Sequence, residues 1–163
     1  MSTDVVLRAV TPNDEAFLLR LYGSTRPEIA QFGWDAAEQQ AFITLQSQMQ
    51  TRSYAMQYPN AEHSVIKYRG QSAGRVIVDR TAAAVSLTDI AILPEFRGQG
   101  IATTVIKRLK EEAARTGRDI ELTVERMNAN AFQLYRKLGF EVTGENQVHL
   151  AMKWSPTKNH VKK

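Results

Sequence analysis

Residues 97–102, Arg97-Gly98-Gln99-Gly100-Ile101-Ala102, have the types and spacing to bind a phosphate group. Two glycines flanking one residue let the backbone turn sharply, and a helix starting directly after them leaves its first N–H groups without intrahelical partners. Those donors point one way and add to the positive end of the helix dipole, which suits a diphosphate. Arg97 places a cation at the mouth of the turn. The same glycines would also serve a plain turn ahead of a helix. Two other phosphate loops fail on spacing. A Walker A loop ends in Gly-Lys-Ser/Thr, whereas Gly100 is followed by Ile101-Ala102. The dinucleotide fingerprint needs glycine or alanine where this chain has Thr103, and a strand leading straight into its first glycine.

The elements around the turn alternate between strands and helices. Val5 to Ala9 reads as a first strand, and Thr11-Pro12 as the start of a helix reaching about Tyr22. Gly23 to Gly33 is a loop or broken helix. Asp35 and Glu38 have capping-box spacing for a second helix, bent near Ser53, on which Phe42, Leu45, Met49 and Met56 share one face. His63 to Tyr68 and Ala73 to Asp79 form a hairpin, and Val85 to Ile92 is a strand that alternates over its first half and stops at Pro94. Ile101, Val105, Leu109 and Ala113 recur every four residues up to Gly117, the pattern of an amphipathic helix with a glycine stop. Ile120 to Val124 is a strand, Asn130 to Leu138 a helix closed by Gly139, and Phe140 to Thr143 and Gln147 to Trp154 are the last strands. The expected class is α/β with helices covering a central sheet, in one domain over residues 1–154 followed by a basic, flexible tail over 155–163.

Composition narrows the remaining classes. With 163 residues, 43% of them hydrophobic, the chain can bury an ordinary core. Of the formal charge of +4, three positive charges are Lys158, Lys162 and Lys163. The body is therefore near neutral, and nucleic acid is not an expected partner. No run approaches a membrane span, and Met1 to Asp4 lacks the start of a signal peptide, so the expectation is a cytoplasmic protein with no membrane partner. The absence of cysteine excludes disulfides, thiolate metal sites and a cysteine acyl-enzyme. His63, His149 and His160 lack metal-ligand spacing, so no metal is expected.

The turn, with the strand and proline before it (Ile90-Ala91-Ile92-Leu93-Pro94), resembles the acyl-CoA loop of the GNAT superfamily of N-acyltransferases, Arg/Gln-x-x-Gly-x-Gly/Ala. A second motif of that family, Asn-x-x-Ala-x-x-Leu-Tyr-x-Lys-x-Gly-Phe, is matched by Asn128, Ala131, Leu134, Tyr135, Lys137, Gly139 and Phe140. The resemblance covers Thr88 to Glu141 and is weakest from Tyr22 to Ala61, where the family builds its variable acceptor walls.

The resemblance implies a mixed, mostly antiparallel sheet of about seven strands, with the fourth and fifth splayed apart and about four flanking helices. It implies acetyl-CoA as co-substrate, an unidentified primary amine as acceptor, and direct attack in a ternary complex. Ile90, Ala91, Ile92 and Leu93 would offer backbone to the pantetheine arm. Arg97, Gly98, Gln99, Gly100, Ile101 and Ala102 would hold the pyrophosphate, with the Thr103 hydroxyl. Asn128 would either contact the cofactor or cap its helix. Tyr135 would be the acid that protonates the departing thiolate, at a cost of about 2 kcal/mol for a phenol of pKa about 10 against a thiol of about 8.5. A lysine-like amine is only about 0.04% neutral at pH 7, so a carboxylate must take its proton. Asp89 and Glu121 are the candidates, with Glu125 behind them, unless each only faces solvent or pairs with a basic neighbour. His149 lies on a late strand that approaches the acceptor side in the family. Protein N-termini, lysine side chains, polyamines, amino acids and aminoglycosides all remain open as acceptors, as do larger acyl donors and a monomer or homodimer. The alternative is a non-catalytic acyl-CoA-binding sensor or docking module.

Overall fold

The computed structural model describes residues 4–156. The lysines of the expected tail, Lys158, Lys162 and Lys163, and His160 lie outside the described residues. Among the described residues, seven strands form one sheet in the order β1-β2-β3-β4-β5-β7-β6. They are β1 (Val5–Ala9), β2 (Glu62–Tyr68), β3 (Gln71–Arg80), β4 (Ala84–Ile92), β5 (Asp119–Glu125), β6 (Glu141–Glu145) and β7 (His149–Trp154). Every neighbouring pair is antiparallel except β4 and β5, which run parallel. Among the described residues four α-helices flank the sheet: α1 (Glu15–Ser24), α2 (Ala36–Gln57), α3 (Ile101–Thr116) and α4 (Ala129–Lys137).

One face of the sheet is closed by α3 and α4. Ile101, Val105, Ile106, Leu109 and Ala113 of α3 are buried with Val76 and Val78 of β3, Val85 and Leu87 of β4, and Ile120, Leu122 and Val124 of β5. On β5 the intervening Glu121, Thr123 and Glu125 are exposed, the alternation of a strand with one buried face. Gly117 ends α3 with φ +67°, the left-handed conformation that glycine adopts without penalty.

The other face is served by α1 and α2, and here two expectations change. Thr11 precedes a single 3₁₀ turn, Pro12–Asp14, before α1 starts. The helix α2 passes Ser53 without interruption, capped at its start by reciprocal bonds between Asp35 and Glu38 of 2.8 and 3.0 Å. Its apolar stripe is not a core face. Leu45, Met49 and Met56 are exposed, while Ser47 is buried and Gln50 and Tyr54 are half-buried. The inner side of α2 is apolar where Ile43 packs on Gly23 of α1 and turns polar towards its end, where Gln50 and Tyr54 stand over a polar cleft.

The strands are not regular. Ile77 pairs with Asp89 and Val78 with Leu87, so Thr88 is an extra residue that bulges from β4. Ala73 is likewise extra on β3. The adjacent Gly74 lies so near β4 that a Cβ there would sit 2.2 Å from the Ala91 carbonyl oxygen. Gly74→Ala must therefore push β4 away from β3, and a loss of about 1–3 kcal/mol is expected by urea unfolding. Gly144→Ala, whose Cβ would meet nothing closer than 4.0 Å, is expected to stay within about 0.5 kcal/mol of the parent.

Candidate active site

The parallel pairing of β4 and β5 lasts only four residues, from Ala84 opposite Asp119 to Leu87 opposite Leu122. At Thr88 the bulge turns β4 away, and Thr88, Asp89 and Ile90 then face Thr123, Val124 and Glu125 across a cleft of about 850 Å³. Tyr135 of α4 and Tyr54 and Tyr58 around the end of α2 also line it. The Thr88 hydroxyl is buried there without a hydrogen-bond partner among the described residues.

The glycine turn stands at the end of β4. Gly98 has φ +78° and Gly100 φ +79°, and a Cβ on either would meet nothing within 4 Å. Backbone conformation rather than space thus demands glycine at both positions. The N–H groups of Gly98, Gln99, Gly100, Ile101, Ala102 and Thr103 donate to nothing among the described residues. Thr104 is the first residue of α3 whose N–H returns to the chain, to the Gly100 carbonyl at 3.0 Å. Arg97 folds back, its Nε donating to the Ile92 carbonyl at 3.0 Å. The Leu93 N–H donates to the Ala73 carbonyl at 2.8 Å. Part of the backbone at Ile92 and Leu93 is therefore already engaged, while among the described residues no strand pairs with β4 from Thr88 to Ala91 on its β5 side.

Tyr135 is 8% exposed and packs against Phe140 with ring centroids 5.9 Å apart. Burial, with the negative charge of Asp89 in second place, pushes its phenol up to about 12. The group stays protonated at neutral pH, and full transfer to a thiolate would cost about 5 kcal/mol instead of 2.

Asp89 is not a free carboxylate. Arg75, buried in the middle of β3, reaches it through Nη2 at 2.6 Å and Nε at 2.8 Å, and donates to Gln50 Oε1 of α2 at 2.6 Å. Proton uptake by Asp89 would strand the buried Arg75 cation. Glu121 projects from the uncovered face of β5 with its side chain 50% exposed, 4.0 Å from Lys153. Glu125, at the end of the same strand, lines the cleft without an ion pair among the described residues. Asn128 caps α4, its Oδ1 accepting from the Ala131 N–H at 3.2 Å, and also borders the cleft. His149 lines the cleft from β7. His63 of β2 is half-buried, with Nε2 unpartnered among the described residues and its pKa lowered to about 4 by burial and then by Arg75.

The sequence reading missed Arg75, Gln50 and Arg26, the last of which lines the cleft from just after α1. An arginine inside the otherwise apolar run 73–78 was the available signal, because a buried cation needs a carboxylate and Asp89 follows on the next strand. No comparable signal marked Gln50 or Arg26.

The acetyltransferase (GNAT) domain family matches residues 34–158. Thialysine N-epsilon-acetyltransferase of Mus musculus is 32% identical over 101 residues, 55% of this chain and 59% of the mouse protein. An uncharacterised N-acetyltransferase of Methanocaldococcus jannaschii is 44% identical over 54 residues, 32% of this chain and 24% of that protein. The chain therefore spans less than two thirds of the length of these curated relatives. PaiA N-acetyltransferase of Thermoplasma acidophilum, solved in complex with coenzyme A, superposes with a TM-score of 0.69 at 17% identity, covering 95% of this chain and 99% of that one. An Arabidopsis thaliana protein in complex with the bisubstrate analogue CoA-Ac-MVNAL gives 0.64 at 18% identity, covering 94% and 99%.

The environment of Tyr135 has a spectroscopic consequence. In an alkaline titration followed by ultraviolet absorbance, Tyr135→Phe should remove one ionisation near pH 12 and leave the earlier steps in place. Because the folded value lies above the unfolded one of about 10, this group's contribution to stability is complete below pH 10 and lost between about 10 and 12. The variant's unfolding free energy should accordingly fall less steeply across that window.

Proposed function

The chain belongs to the GNAT acetyltransferase family, and from that premise we propose that it transfers an acetyl group from acetyl-CoA to a primary amine. The observation that carries the proposal is the parting of β4 from β5 beside a turn with six N–H groups that have no partner among the described residues. The cleft and turn fit the donor: Gly98 to Thr103 offer N–H groups and a helix N-terminus to the pyrophosphate, and Thr88 to Ala91 offer to the pantetheine arm the edge that faces away from β3. The relatives solved with coenzyme A and with a CoA-containing bisubstrate analogue support this use of the fold. When bound, acetyl-CoA supplies a thioester carbonyl that an amine can attack.

The residues of the chain then divide the work. Asp89, fixed by Arg75, attracts the acceptor ammonium towards the parting of the strands. Glu121 takes the ammonium proton through water, since its carboxylate is held only loosely by Lys153. As the new C–N bond forms and the C–S bond breaks, Tyr135 gives its proton to the sulfur, and the second proton that the nitrogen loses on becoming an amide returns through cleft water to the Tyr135 phenolate. The raised pKa of Tyr135 keeps that proton in place until a thiolate develops beside it. Asn128 holds the start of α4, and with it Tyr135 two turns on, against the cleft.

A thiol-release assay with acetyl-CoA against peptides, polyamines, aminoglycosides and amino acids tests the reaction. The name of the mouse relative specifies an N-epsilon amine of thialysine, so that amine belongs in the panel. Absence of amine-stimulated release across the panel, with coenzyme A bound tightly, would favour a binding module. Tyr135→Phe is expected to lower kcat about 100-fold or more with little change in acetyl-CoA KM. Retention of the parental kcat in that variant would remove Tyr135 from the mechanism. Glu121→Gln should make the rate climb with pH towards the ionisation of the amine itself, about 10, where the parent levels off earlier.

A further inference from the structure

Two charges in the cleft have no part in the acetyl transfer itself. Arg26 follows α1 and is positioned by short-range contacts. Its N–H donates to the Gly23 carbonyl at 3.1 Å, its Nε donates to the hydroxyl of Tyr22 at 3.2 Å, and its guanidinium lies 5.4 Å from the centroid of that ring. Tyr22 is itself buried, so the guanidinium rests on a fixed support. Both terminal nitrogens of Arg26 are without partners among the described residues, although Arg26 is half-buried. Elsewhere Arg8, Arg75 and Arg80 each close on a carboxylate at 2.8 Å or less. Arg26 feels Glu125 and Glu28 electrostatically yet forms an ion pair with neither.

Glu125 is the complement. It ends β5, lines the same cleft, and its carboxylate has no partner among the described residues. The other charges there are matched, Asp89 by Arg75 at 2.6 Å and Glu121 by Lys153 at 4.0 Å. What remains is one forked cation and one carboxylate, near enough to feel each other and not joined. A free guanidinium fork fits a carboxylate through two parallel hydrogen bonds. A plain polyamine would set a cation against Arg26, and the interior of a peptide would offer it only neutral amides.

On the premise that the cleft acetylates amines, we propose that its acceptor is a small amino-acid-like zwitterion, its carboxylate held by Arg26 and the adjacent ammonium by Glu125. The second, reacting amine of the acceptor then extends towards Asp89 and Tyr135. Arg26 is in this account a determinant of acceptor choice and takes no part in proton transfer.

The test compares initial rates of thiol release for L-ornithine and L-lysine with those for putrescine and cadaverine, which lack only the carboxylate, and for lysinamide. At least one amino acid should exceed its decarboxylated counterpart about tenfold to hundredfold in kcat/KM, the size of one charge-assisted contact. Arg26→Met should abolish that ratio mainly through acceptor KM, and Arg26→Lys should restore part of it. Unchanged acetyl-CoA KM and thermal midpoint check that the variants fold. Calorimetry with L-lysine and cadaverine on the coenzyme A complex reads the same preference without turnover. Carboxylate-dependent binding lost in Arg26→Met, with no turnover of any amine, would uphold this site and sink the transferase reading. Decarboxylated amines or lysinamide used as well as the amino acids, a ratio unchanged in Arg26→Met, or no carboxylate-dependent binding would overturn the proposal.

Discussion

The pairing of β4 with β5 is the constraint on which the molecule's working end depends. Two parallel strands that stayed in register would fill the middle of the sheet with main-chain hydrogen bonds and leave no room for a ligand. Here the ladder stops after Leu87 and Leu122, because Thr88 adds a residue to β4 and bends it. The bend is held from both sides. Gly74 admits the Ala91 carbonyl to a place that any side chain would occupy, and the Arg75–Asp89 ion pair ties β3 to β4 just past the bulge. A row of unpaired backbone groups inside a folded protein is costly unless something pairs with it. On the proposed reading the donor substrate is that partner.

The same ion pair links the donor strand to the acceptor wall. Arg75 contacts Asp89 of β4 and Gln50 of α2, and its guanidinium lies 6.0 Å from the ring of Tyr54. A buried pair of this kind adds little net stability, but loss of one partner leaves an uncompensated charge and costs about 3–5 kcal/mol. Its value is positional, since it fixes how far α2 stands from the cleft. Burial of Tyr135 likewise weakens it as an acid while ensuring that its proton stays in place. With a more exposed phenol, the proton would pass to sulfur more easily and the site would be less dry.

Much of the frame was legible because it rests on local rules. The four-residue recurrence from Ile101 to Ala113, the stop at Gly117 and the paired glycines at 98 and 100 appear in the structure where spacing put them. The bulge also left a trace: apolar positions on β4 are odd at Val85 and Leu87 and even at Ile90 and Ile92, a change of parity that needs one extra residue. What stayed hidden depends on tertiary neighbours. The stripe of Leu45, Met49 and Met56 suggested a core face, yet those residues are exposed and α2 turns Gln50 and Tyr54 inward because polar cleft lies beneath them. Nothing local to Asp89 or Glu121 told which was paired, and only Arg75, fourteen residues before Asp89, decides it.

Amide hydrogen exchange by NMR, with and without acetyl-CoA, tests most directly whether the opened edge of β4 is the donor site. New protection is expected at the N–H groups of Gly98 to Thr103 and at alternate residues of Thr88 to Ala91, with little change in β1 or β2. Protection confined to other parts of the sheet, or saturating acetyl-CoA binding that leaves those amides exchanging as before, would contradict that expectation.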